Sequence, residues 1–179
     1  MSINKLPGGV FVILFCTLLA AAQEKPRPNL AGKWIVDSAK SEKTNNFLED
    51  SELAVTIEQH DPEIRMIRRF SSLSQEVPFV YYSDGRGESY HNPITKMEMQ
   101  SSTRWDGDKL VIRYTGSGVS VMGVRNVNVL YEFKLSKDGK TLTKKIIVVP
   151  PRNAPDRVNA VPVTQSNQEY KKVYNRASE

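Results

Sequence analysis

From residue 53 onward, apolar and polar positions alternate in short runs, the two-residue period of half-buried strands. Leu53, Val55 and Ile57 share one face, with Thr56 and Glu58 on the other. Ile64, Met66 and Phe70 continue the pattern, and Arg68 falls in register on their apolar face. Further runs cover 79–82, 97–105, 110–114, 127–135, 142–149 and 168–175, and a short one comes earlier, at 32–37. Tight turns separate them. Trp105-Asp106-Gly107-Asp108 and Lys137-Asp138-Gly139-Lys140 place Asp-Gly between alternating runs, a strong hairpin signal. Gln59-His60-Asp61-Pro62 makes a third turn, and Asp84-Gly85 opens a glycine-containing loop. Asp37 to Asp50 is polar and suits a helical turn or a long loop. Four prolines between 150 and 163 exclude a regular helix or central strand there. About nine short strands without a long helical pattern predict an all-β protein. Consecutive hairpins favour up-and-down order, and a meander of this size removes its edges by closing on itself. The expectation is one antiparallel up-and-down β-barrel of about 8–10 strands.

The start of the chain follows a different pattern. Lys5 precedes an apolar run from Gly8 to Ala22 that ends in three alanines, with no acid before Glu24. A positive lead, a short apolar stretch and small residues at its end describe a signal peptide. Residues 1–22 are therefore expected to be removed on export, leaving 23–179 as a secreted or periplasmic domain. The run is short for a membrane span, so no stable span is expected after processing. Cys16, the sole cysteine, would leave with it. Without it the domain has no disulfide, no thiol nucleophile and no cysteine ligand for zinc. Phe15 and Leu14 stand where a lipoprotein would carry small residues. The net charge of +5 is spread along the chain, which argues against a nucleic-acid-binding face.

Gly32-Lys33-Trp34, opening the first strand of an exported all-β domain, resembles the Gly-x-Trp signature of lipocalins. Leu30 and Ala31 before it, and Asp37, Lys40 and Ser41 after it, look like the secreted bacterial lipocalin-like proteins. So does the hairpin Arg104-Trp105-Asp106-Gly107-Asp108-Lys109-Leu110, and Lys172-Val173-Tyr174-Asn175-Arg176 looks like their closing strand. The Thr-Asp-Tyr motif of true lipocalins is absent, and no amphipathic helix precedes the last strand. The resemblance implies a lipocalin-like barrel whose narrow end Trp34 closes, and a tendency to bind small apolar molecules.

Candidate chemistry is sparse. His60 and His91, the only histidines, fall in a turn and a loop without a nucleophile or metal-ligand spacing. No catalytic residue, metal or cofactor is expected. Gly116-Ser117-Gly118 reads as a connection between strands, since Val119, Val121 and Val124 follow it instead of a helix. Lys144-Lys145, and the run of Arg65, Arg68 and Arg69, read as solvated strand faces, with an inward position as the alternative for Arg68. The candidate barrel lining is Trp34, Arg68, Phe70, Tyr81, Met97, Met99, Trp105, Tyr114, Tyr131 and Phe133, residues that equally suit a packed core. Arg68 is placed to meet an anionic head group, or to reach a strand end. The leading expectation is a non-catalytic protein holding a small hydrophobic or amphipathic ligand. The alternative is an envelope or extracellular interaction module with a filled barrel and macromolecular contacts through its loops.

Overall fold

A computed structural model describes residues 26–44, 46–91, 98–120, 123–149 and 167–178. The predicted cleavage at 22, Met97 and the proline-rich stretch lie outside them. Among the described residues, ten strands form one antiparallel sheet: β1 (Gly32–Val36), β2 (Glu52–His60), β3 (Glu63–Phe70), β4 (Val77–Tyr82), β5 (Glu88–His91), β6 (Glu98–Asp106), β7 (Lys109–Ser120), β8 (Gly123–Leu135), β9 (Thr141–Val148) and β10 (Gln168–Arg176). A single helical turn, α1 (Phe47–Asp50), separates β1 from β2.

The spatial order is β4-β3-β2-β1-β10-β9-β8-β7-β6-β5. Every neighbour is consecutive in sequence except β1 and β10, which join first strand to last. The fold is a nearly closed up-and-down barrel. Its seam lies between β4 and β5, consecutive in the chain but not paired with each other; an isolated bridge from Asp84 to Arg104 crosses near it.

The hairpins form where the Asp-Gly pairs predict them. Gly107 and Gly139 take φ values of 61° and 70°, the left-handed backbone such turns require. Two expectations need correcting. His91, expected in a loop, ends a strand that the alternation does not mark: Glu88–His91 pairs with β6 from Glu88↔Ser101 to His91↔Glu98. Gly116 to Gly118 lies inside β7, not between strands. A Cβ at Gly116 would collide with the Met99 side chain, so this glycine makes room for a neighbour in the sheet.

The barrel end where β1 begins is apolar. Leu30, Trp34, Ile57, Ile64, Leu110 and Leu142 are buried there. The Trp34 indole N–H donates to the Leu30 carbonyl at 2.9 Å. The Arg176 guanidinium lies 4.2 Å above the Trp34 ring and donates to the Ala31 carbonyl at 2.8 Å. Gly32 has a φ of 135°, and a Cβ on it would stand 2.7 Å from Arg176 Nη1. The Gly-x-Trp pattern therefore has a physical cause: the φ of 135° favours glycine, and a Cβ there would push aside the cation that lies over the indole.

Candidate functional site

The other end of the interior is built from charge. The inward positions of β9 are Leu142, Lys144 and Ile146, and those of β10 include Lys172 and Tyr174. Register sets Lys172 opposite Lys144, an unfavourable pair by itself. Two carboxylates compensate. A register shift in β2 between Glu52 and Ala54 reverses the side-chain parity there. Glu52 turns inward, whereas Leu53, expected on the apolar face, is 42% exposed. The second carboxylate comes from α1. Asn46 caps that turn by accepting the Leu48 N–H at 3.0 Å, and Glu49 points into the barrel.

Around these acids the cations are close. Arg68 Nη2 is 2.9 Å from Glu49 and its Nε is 2.7 Å from Glu52. Lys144 Nζ is 2.7 Å from a carboxylate oxygen of each. Lys172 donates to the Glu49 main-chain carbonyl and stands 3.6 Å from the Glu52 carboxylate. Tyr131 donates to Glu49 at 2.7 Å, and Tyr174 to Glu52 at 2.8 Å. Burial works against ionising either acid, but Arg68 and Lys144 outweigh it: Glu52 is held at about 2, and Glu49 well below the usual range. Burial also lowers Lys172, with Lys144 repelling it. Tyr131 and Tyr174 are pushed up by burial and by the carboxylates they serve.

Aromatic rings lead from this cluster to the seam. Tyr131 meets Tyr114 edge-on at 4.9 Å between centroids, and Tyr114 meets Tyr81 at 6.0 Å, with a hydrogen bond joining their hydroxyls. Phe79 stacks on Tyr81 at 6.4 Å and meets Tyr90 edge-on at 5.8 Å. Arg68 lies over Phe70 and Phe79, 4.9 and 5.8 Å from their centroids. At the seam a cleft of about 480 Å³ opens between β4 and β5, walled by Pro78, Phe79, Val80, Tyr82 and Tyr90, with Glu63 and Glu88 among its polar groups. Glu88 bridges the gap, accepting from the Tyr82 N–H on β4 and the Ser101 hydroxyl on β6.

Of the predicted lining, Arg68, Phe70, Tyr81, Tyr114, Tyr131 and Phe133 join one contact network. Met99 is buried on β6. Trp34 belongs to the apolar end, and Trp105 is half-buried near the β6–β7 turn. Arg68 does meet anions inside, and they are the protein's own. The solvated-face reading is corrected at two positions: Arg68 and Lys144 are buried and face inward, while Arg65 and Arg69 are exposed and Lys145 points out, 2.8 Å from Glu169. Sequence reasoning missed Glu49, Glu52, Lys144, Lys172 and Tyr174. Lys144 shares the parity of Leu142 and Ile146, the signal that also singled out Arg68; Glu52 had no such signal, because the register shift hides it.

The fold and this interior define a class: a ten-stranded, nearly closed up-and-down barrel with a charged, aromatic interior and one open seam. No known protein-family profile matches the chain, and no curated protein matches its sequence. Among solved structures it is similar to one described as REP1-NXSQ fatty acid transporter, with a TM-score of 0.55 at 10% identity, over 84% of this chain and 97% of that one. A point mutant of that transporter is 12% identical, with a TM-score of 0.49 over 83% and 98% of the two chains. At these identities the likeness is one of fold.

Proposed function

We propose that this chain is an exported, non-catalytic binding protein of lipocalin-like type that takes a small hydrophobic or amphipathic molecule through the β4–β5 seam. The observation that carries the reading is the seam itself. A cleft of about 480 Å³ lies where the barrel's hydrogen bonding stops, and its inner wall, Phe79 and Tyr90, begins the row of rings leading inward. Concave, mainly apolar sites with a few placed polar groups suit such ligands. The likeness to a barrel described as a fatty acid transporter points the same way. Export rests on the apolar run that ends at Ala22.

The test is titration of residues 23–179 with an environment-sensitive hydrophobic dye. Saturable binding near one-to-one is expected, with competition by a long-chain alcohol. Ser89→Trp, which crowds the cleft from a seam-lining position on β5, should weaken binding and leave the melting temperature close to the parent's. Absence of saturable binding across several ligand classes sinks the reading. The mass of the exported protein tests processing separately: retention of residues 1–22 in a membrane fraction makes the apolar run an anchor. A filled-barrel interaction module is the second reading. It has one observation in its favour, the unbroken ring contacts from Tyr90 to Phe133.

A further inference from the structure

The seam cleft holds negative charge without a counter-ion. Glu63 and Glu88 line it, and neither forms an ion pair among the described residues. The partners of Glu88 are neutral, the Tyr82 N–H and the Ser101 hydroxyl. Among the described lining residues the one basic side chain is His91, whose Nδ1 is 2.7 Å from Glu98. Two arginines stand near, and both are engaged. Arg86 lies 4.5 Å from the centroid of the Tyr82 ring and donates to both carboxylate oxygens of Asp84. Arg68 lies 5.8 Å from the centroid of the Phe79 ring and is held by Glu49 and Glu52. Lys172, the cation those acids pair least closely, is on β10, four strands from β4.

The walls complete the chemistry. Phe79, Tyr82 and Tyr90 line the same cleft as the two carboxylates, and Pro78 and Val80 add apolar surface. Organic cations are attracted to ring faces, and aromatic sites recognise quaternary ammonium groups. Glu88 is half-buried and tied to β4 and β6. Its charge is therefore fixed in place and partly withdrawn from water, where pairing is stronger than at an open surface. An anionic head at this position meets two like charges instead.

Resting on the binding function proposed above, we infer that the β4–β5 cleft takes the ammonium head of a cationic amphiphile, with Glu88 and Glu63 as its counter-charges and Phe79, Tyr82 and Tyr90 as its aromatic wall. Pro78 and Val80 offer the alkyl chain apolar contact.

Displacement of an uncharged hydrophobic dye from residues 23–179 tests this, with decyltrimethylammonium, decanol and decanoate as competitors, below micelle formation and near neutral pH. The ammonium should displace the dye at a concentration at least about ten-fold below that of decanoate, a factor worth about 1.4 kcal/mol. The whole chain has a net charge of +5, so adsorption to its surface at large favours the anion, and the reverse order reports the cleft. Glu88→Gln and Glu63→Gln should each weaken the ammonium several-fold and leave decanol nearly unchanged. Glu169→Gln removes an acid from β10, across the barrel, and should change neither. Decanoate displacing as well as the ammonium from the parent overturns the inference and leaves the binding reading intact. That comparison needs no variant, so it stands even where Glu88→Gln fails to fold. An ammonium preference that survives both glutamine changes overturns it too. If the dye binds and none of the three displaces it, the inference falls; if the dye does not bind, the binding reading falls with it.

Discussion

At the end of the barrel where β1 begins, Trp34 lies among Leu30, Ile57, Ile64, Leu110 and Leu142. At the end where β1 gives way to α1, Arg68, Lys144 and Lys172 surround Glu49 and Glu52. Both regions exclude water, but they contribute to stability differently. Apolar side chains contribute roughly in proportion to the area each removes from water, about 25 cal/mol per Å². Buried ions do not: each costs several kcal/mol to dehydrate, and only the complete set of partners offsets that cost. The apolar end is therefore a sum of separate parts, whereas the charged end stands or falls as a group.

Substitutions can break that distinction. The largest effect is expected for Trp34→Ala, about 3–5 kcal/mol by denaturant unfolding, the usual range for truncating a buried aromatic. Its loss also leaves the Arg176 guanidinium without the ring beneath it. Glu52→Gln should cost about 3 kcal/mol, because it leaves Arg68, Lys144 and Lys172 facing Glu49 alone. A double-mutant cycle sharpens the contrast: Glu52→Gln with Lys172→Met should cost less than the sum of the two changes, while Trp34→Ala with Lys172→Met should add.

The pH dependence separates the ends without mutation. Glu49 and Glu52 titrate below their ordinary value of 4.5, Glu52 at about 2. Groups so depressed give their full stabilisation above 4.5 and lose it as pH falls toward 2, where the folded state too must take up the proton. Unfolding midpoints measured along that range should fall with pH, and less steeply in Glu52→Gln. An equal slope in parent and variant would place the acid sensitivity elsewhere. Gly32→Ala should cost about 1–3 kcal/mol, since its φ of 135° and the nearby Arg176 both resist a Cβ. The smallest effect is expected for Lys172→Met, within about 1 kcal/mol of the parent, because it removes the excess charge and keeps most of the volume. A loss as large as that of Glu52→Gln would show that Lys172 is a full member of the ion cluster.

Legibility in the sequence follows the same division. Strand alternation and the turns at Gly107 and Gly139 are local, so the barrel and most of its strands could be read from the chain. Arg68 was legible because a charge in register with Ile64, Met66 and Phe70 is conspicuous. Lys144 was hidden by Lys145, since two adjacent lysines look like a solvated face although a strand must point them opposite ways. β5 was hidden because its pairing uses the backbone, which carries no residue signature.

By itself the sequence determined the period-2 pattern and the hairpins, because each depends on residues a few positions apart. The tertiary structure alone decided where the barrel stays open and which charges meet. Glu49 and Lys144 are 95 residues apart in the chain, and Glu52 and Tyr174 are 122 apart. Their contacts exist only after β1 pairs with β10 and a one-residue shift in β2 turns Glu52 inward. Charge pairing acts through space at about 3 Å, and no pattern along a chain records distances of that kind.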